Sequence, residues 1–164
     1  MTETKMAESP KHVFEIYIRT TPEKLWQAIT DGEITEKYFF GTHIHSDDWK
    51  KGSRYHFTGK GPDGSDMKMV DGEILEIDPP RKLVFTFNHH WDAEVGYPET
   101  RVSWEITQVG EACKLSVVHD RLKAGHPVTE EFFGGWSLIL SGLKTLLETG
   151  EPLVIPQPSP QGEE

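Results

Sequence analysis

Eight histidines are the readiest source of chemistry in this chain of 164 residues. His43 and His45 alternate, so on a strand their imidazoles share a face, whereas His89 and His90 point to opposite faces. His56 lies between Tyr55 and Phe57 and takes the face opposite both. His119 closes the run Leu115, Val117, His119, whose alternation puts its ring on the apolar side of a strand. Three converging imidazoles would make a zinc-type site. The chain has no H-E-x-x-H, no helical H-x-x-x-H and no paired cysteines, and no metal is assigned. His119 is read in two ways: as a hydrogen-bonded structural histidine, or as a polar group that orients a ligand.

General acid–base work would need a pocket carboxylate whose pKa is raised by burial. Asp66, Glu73, Glu105 and Asp120 are available, but Glu105 alternates with Trp104 and is expected in solvent, as is Arg101. A nucleophile elbow of the G-x-S-x-G kind is missing. Gly61-Pro62-Asp63-Gly64 is a turn rather than a phosphate loop, because no helix with Lys-Ser/Thr follows it. The single cysteine, Cys113, is read as a small strand residue. No catalytic residue and no cofactor is assigned; were the chain an enzyme of the cyclase, dehydratase or hydrolase kind, His119 would be the one candidate.

The aromatic residues make a stronger pattern. Tyr55, Phe57, Phe85, Phe87, Trp104, Phe132 and Trp136 are all expected to face one interior. Aromatic walls with a few polar groups describe a small-molecule pocket, and the same side chains packed on one another describe a solid core. Trp49 and Trp91 fall on loops, as a pocket rim or a partner contact.

These side chains must be positioned by strands and one long helix. Residues 128–149 place Phe132, Phe133, Trp136, Ile139, Leu140, Leu143, Leu146 and Leu147 on one helical stripe. Thr129 is the expected cap, Glu130 and Glu131 suit the positive end of the helix dipole, and Gly150 with Pro152 ends the helix. Gly134, Gly135, Ser137, Ser141 and Gly142 are small, so they admit another backbone or leave space. Period-two alternation marks strands at 12–19, 42–46, 53–58, 66–77, 82–89, 100–108 and 112–119. Thr21-Pro22-Glu23 starts a short helix, and a second short helix runs over 33–39. Short turns between successive strands imply antiparallel neighbours. The class is α+β: a curved seven-stranded antiparallel sheet wrapped round the long C-terminal helix, with two short helices after the first strand.

Bulk composition narrows the partners. Formal charge is −10, from 17 Lys plus Arg against 27 Asp plus Glu, which disfavours nucleic acid and anionic membranes. No apolar run is long enough to span a bilayer, and the first residues lack the apolar core of a signal peptide. A reducing, cytoplasmic setting is expected. The expected organisation is a disordered tail at 1–10, one domain over 11–152 and a Pro-rich flexible tail at 153–164.

Three phrases occur in a telling order: FEIYIRTTPEKLWQAITD, then VDGEILEIDPPRKLVFTF, then GGW followed by SLILSGLKTLLETGE. With them the chain resembles the activator of Hsp90 ATPase homologue-like (AHSA-type) family of the SRPBCC, or START/Bet v 1-like, superfamily, over about residues 12 to 151. The resemblance implies a helix-grip fold in which the curled sheet leaves a pocket beside the long helix. It implies small apolar or aromatic molecules as default ligands and a stress-related role, with a chaperone as the alternative partner; the sequence leaves monomer and homodimer both open. The expected pocket wall is Tyr55, Phe57, Phe85, Phe87, Trp104, His119, Phe132 and Trp136.

Overall fold

Alternation of apolar and polar side chains decides most of this fold. In the computed structural model, residues 10–90 and 96–154 are described. The seven strands are β1 (His12–Ile18), β2 (His43–Ser46), β3 (Arg54–Lys60), β4 (Asp66–Asp78), β5 (Lys82–His89), β6 (Thr100–Val109) and β7 (Ala112–Asp120). They form one antiparallel sheet in the order β1-β7-β6-β5-β4-β3-β2. The two short helices are α1 (Pro22–Thr30) and α2 (Gly32–Thr35), and the long one is α3 (Pro127–Thr149). The expected tails fall almost wholly outside the described residues, as does Trp91.

Local chemistry fixes the helix ends. Thr21 Oγ1 accepts from the Lys24 amide at 3.2 Å, and Pro22 occupies the first turn of α1. Asp31 caps α2 by accepting from the Glu33 amide at 2.9 Å. That helix is shorter than expected, because Tyr38 and Phe39 leave it to turn inward. α3 differs at its start. His126, not Thr129, is the cap, its Nδ1 accepting from the Val128 amide at 3.1 Å. Thr129 is already inside the helix, and its hydroxyl donates to the Lys123 carbonyl at 2.6 Å. Gly150, at φ 85°, closes the helix with its backbone N–H donating to Leu146 O.

The core lies between the sheet and α3. Leu83, Phe85, Val102, Trp104, Leu115, Val117 and Leu143 are all essentially inaccessible. Removing such large apolar groups from water stabilises the fold by about 1.5–3 kcal/mol each. Phe133 departs from the expected stripe: it is half-exposed and meets His12 edge-to-face and Phe14 at a tilt, both on the edge strand β1.

At one point the ladder between β4 and β5 is rebuilt. The Glu73 amide donates to Thr86 Oγ1 at 2.8 Å, and Tyr55 OH, reaching across β4 from β3, donates to Thr86 O at 2.7 Å. Tyr55 is paired in register with Gly72, and a Cβ on Gly72 would lie 2.0 Å from Thr86 O. Only a glycine lets the strands approach here. β3–β4 and β4–β5 each also carry a register shift, the local irregularity that lets a sheet bend around a helix.

Candidate functional site

Phe57 from β3, Met69 and Val70 from β4 and Phe87 from β5 form one wall of a cavity of about 390 Å³. The opposite wall is the α3 face carrying Glu131, Phe132, Gly135, Trp136 and Ile139. Phe39, Phe40 and Thr42, from the link between α2 and β2, complete it. The volume sits in the range of small-molecule pockets, about 300–1,000 Å³. Its surface is overwhelmingly hydrocarbon and aromatic ring.

Each element contributes for a local reason. On α3, Glu131, Gly135 and Ile139 follow at intervals of four and so line up along the helix. Gly135 leaves room where a side chain would otherwise fill the space; its nearest neighbour is the Phe40 ring, 3.6 Å from where a Cβ would sit. Phe40 has φ 54° and is 59 % exposed, so a large aromatic is held at the solvent end of the cavity in a left-handed conformation. Phe39 points the other way, stacked on Phe57 with ring centroids 4.4 Å apart and edge-on to Trp136 at 5.9 Å. Gly142, in contrast, seats α3 against Tyr38, whose hydroxyl donates to Ala28 O at 2.7 Å.

Of the eight side chains expected in the wall, Phe57, Phe87, Phe132 and Trp136 line this cavity. Tyr55, Phe85, Trp104 and His119 lie behind it in packed core. Tyr55 is stacked near Phe85 at 4.2 Å, with its hydroxyl held by Thr86 O. Trp104 meets the Trp136 ring at 5.5 Å, nearly at a right angle.

His119 is fully inaccessible and held at both ring nitrogens. Trp136 Nε1–H donates to Nδ1 at 3.0 Å, so the imidazole proton is on Nε2. Nε2–H then donates to Thr100 Oγ1 at 2.8 Å, and the Thr100 hydroxyl in turn donates a hydrogen bond to Phe87 O at 3.1 Å. Burial, reinforced by His12 and opposed by Asp120, lowers the His119 pKa to about 3. The ring is a neutral link in a closed chain, with neither nitrogen left for a substrate.

The remaining titratable candidates lie elsewhere. Asp66 pairs with Lys60 at 2.7 Å and Glu105 with Lys82 at 3.8 Å, both in solvent. Arg101 is not simply solvated: it makes a bidentate pair with Asp120 at 2.9 and 2.6 Å across β6 and β7. Burial works to raise the Asp120 pKa, but the Arg101 bond holds it below the usual carboxylate value. His43, His45 and His56 lie beside Glu36 and Asp66 in a polar groove on the outer face of β2 and β3. There His43 Nδ1 meets Glu36 at 2.5 Å and His45 Nε2 meets Asp47 at 2.9 Å. Among the described residues, no group of three or more His, Cys, Asp or Glu is placed to hold a metal ion.

Glu131 is the cavity residue that composition and motif give least hint of. A helical projection of residues 131–139 does find it, since Glu131, Phe132, Gly135, Trp136 and Ile139 fall on a single face. Phe39 and Phe40 carry a weaker signal, two adjacent aromatics before Gly41.

Comparison with known proteins bears on family and fold. The profile of the family described as "Activator of Hsp90 ATPase homolog 1-like protein" matches residues 19–148. Among curated proteins, no sequence matches the chain. Among solved structures, the chain is similar to the protein ChR145 from Cytophaga hutchinsonii, with 24 % identity, TM-score 0.70, and 88 % of this chain and 98 % of that one covered. It is similar to an HSP90 activator from Plasmodium falciparum, with 22 % identity, TM-score 0.65, and 84 % and 95 % covered. A third similar structure is the Aha1 dimer from Colwellia psychrerythraea, with 18 % identity, TM-score 0.65, and 86 % and 98 % covered. At these identities the likeness shows a common fold. No helix among the described residues is long and apolar enough to cross a membrane.

Proposed function

The chain belongs to the Activator of Hsp90 ATPase homolog 1-like protein family, and we propose that within this family it binds a small apolar or aromatic molecule between the sheet and α3. The observation that supports this most is the cavity of about 390 Å³, lined by Phe39, Phe57, Phe87, Phe132 and Trp136. Burying an apolar molecule against such a surface contributes about 25 cal/mol per Å² removed from water, before the entropy of association is subtracted. Binding rather than turnover is favoured by the placement of ionisable groups. His119 lies behind the wall with both nitrogens engaged, and Glu131 stands at the exposed end of the cavity.

Mass spectrometry of the protein purified under non-denaturing conditions tests this, together with a thermal-shift screen of flat aromatic and lipid-like compounds. A co-purifying apolar molecule, or a raised Tm with members of one class, is expected. Uniform absence of both contradicts the reading.

A second reading is a chaperone partner. It draws on the family's description and on the similar Plasmodium falciparum protein, itself described as an HSP90 activator. An ATPase assay with an Hsp90-type chaperone decides it: unchanged turnover at saturating protein removes the reading.

A further inference from the structure

Of the polar side chains in the cavity wall, one is left unengaged by the protein. Thr42, Glu131 and Trp136 are the lining residues whose side chains bear nitrogen or oxygen. The Thr42 hydroxyl donates its proton to Phe39 O at 2.6 Å, and Trp136 Nε1–H is taken by His119 Nδ1 at 3.0 Å. Both side-chain donors are therefore engaged inside the protein. The Glu131 carboxylate is not: it is exposed, and among the described residues it makes no hydrogen bond or ion pair. A carboxylate accepts and does not donate. No Lys, Arg or His is among the lining residues, so an anionic head group would meet a carboxylate and no counter-charge.

We propose that the cavity selects an apolar amine: its hydrocarbon or aromatic body lies among Phe57, Phe87 and Trp136, and its ammonium group is received by Glu131 at the solvent end. An ammonium–carboxylate hydrogen bond is about twice as strong as a neutral one. The formal charge of −10 adds a long-range attraction for cations and disfavours fatty acids and phosphorylated lipids at the encounter step. The proposal rests on the ligand-binding reading of the same cavity, and it adds the chemical class of the head group.

Competition between ligands that differ only in their head group separates the two. The full chain is loaded with the neutral dye N-phenyl-1-naphthylamine, and decylamine, decanol and decanoate are compared as displacers below their micellar concentrations. Decylamine is expected to displace at a concentration about fivefold or more below decanol, with decanoate the weakest. Glu131→Gln should bring decylamine to the level of decanol, and Glu131→Lys should reverse the order in favour of decanoate. The exposed position of Glu131 leaves both variants folded, which thermal unfolding checks. Decanoate matching or exceeding decylamine on the unsubstituted chain would overturn the head-group assignment while leaving cavity binding intact. Failure of the dye and all three displacers to bind would remove both.

Discussion

Trp136 on α3 donates its indole N–H to Nδ1 of His119 on β7 at 3.0 Å, and this bond ties the cavity wall to the core behind it. Trp136 thus has two roles. Its side chain lines the cavity, and its indole N–H fixes the tautomer of a buried imidazole. A buried polar network of this kind stabilises only when every member is satisfied, and here the chain runs on through Thr100 to the Phe87 carbonyl.

The His119 pKa is about 3 in the folded protein against 6.5 for the free side chain, chiefly through burial. As pH falls through about 6.5 the unfolded chain takes up a proton that the folded one refuses until about 3. The contribution is therefore complete above that range and lost progressively below it, at up to about 1.4 kcal/mol per pH unit. His119→Gln removes the titration while offering an oxygen to Trp136 and an N–H to Thr100. Urea unfolding of both proteins between pH 7 and 4 should give a flatter stability curve for the variant. Parallel curves would mean that His119 is not held neutral.

Two tryptophans in contact should respond unequally to the same truncation. Trp104 Nε1–H is buried with no hydrogen-bond partner among the described residues, whereas Trp136 Nε1–H satisfies His119. Both Trp→Phe changes remove the same ring volume, but only Trp136→Phe strands a buried acceptor. Chemical denaturation should show Trp136→Phe costing about 1–2 kcal/mol more than Trp104→Phe. The reverse order would argue against the bond.

Glycines at two sites predict opposite signs. Gly72→Ala sets a methyl 2.0 Å from Thr86 O, so the strands must part and the Tyr55 bond to that carbonyl is lost. A loss of about 2 kcal/mol or more is expected from overpacking alone. Gly134→Ala meets nothing within 4 Å and gains helix propensity, up to about 1 kcal/mol. Thermal unfolding of the two variants checks both signs at once.

The strands were legible in the sequence because one face of each is buried, and burial on one face imposes period two. β5 shows where the rule stops. Its 82–89 span is read correctly, yet Val84 and Thr86 on its second face are also buried, and Thr86 is engaged there at its hydroxyl by the Glu73 amide and at its carbonyl by the Tyr55 hydroxyl. The site was legible only to the level of a face. Parity sends Phe85, Phe87, Trp104 and His119 inward alike, but it carries no information about depth along the strand. Phe87 reaches the cavity while Phe85, two residues earlier, packs on Tyr55. The cap of α3 was hidden for another reason: His126 caps through a ring nitrogen, a role that Thr129 fits better by residue type.

Blocking the cavity tests the central claim most directly. Gly135→Leu projects a side chain into the space opposite Phe57 and Phe87 while replacing a helix-interior glycine, so the fold should survive with equal or higher Tm. Titration of N-phenyl-1-naphthylamine into the unsubstituted chain is expected to give saturable binding at a single site, and the same titration into Gly135→Leu to give none. Equal binding by the two folded proteins, or no saturable binding by the first, would contradict a ligand held between the sheet and α3.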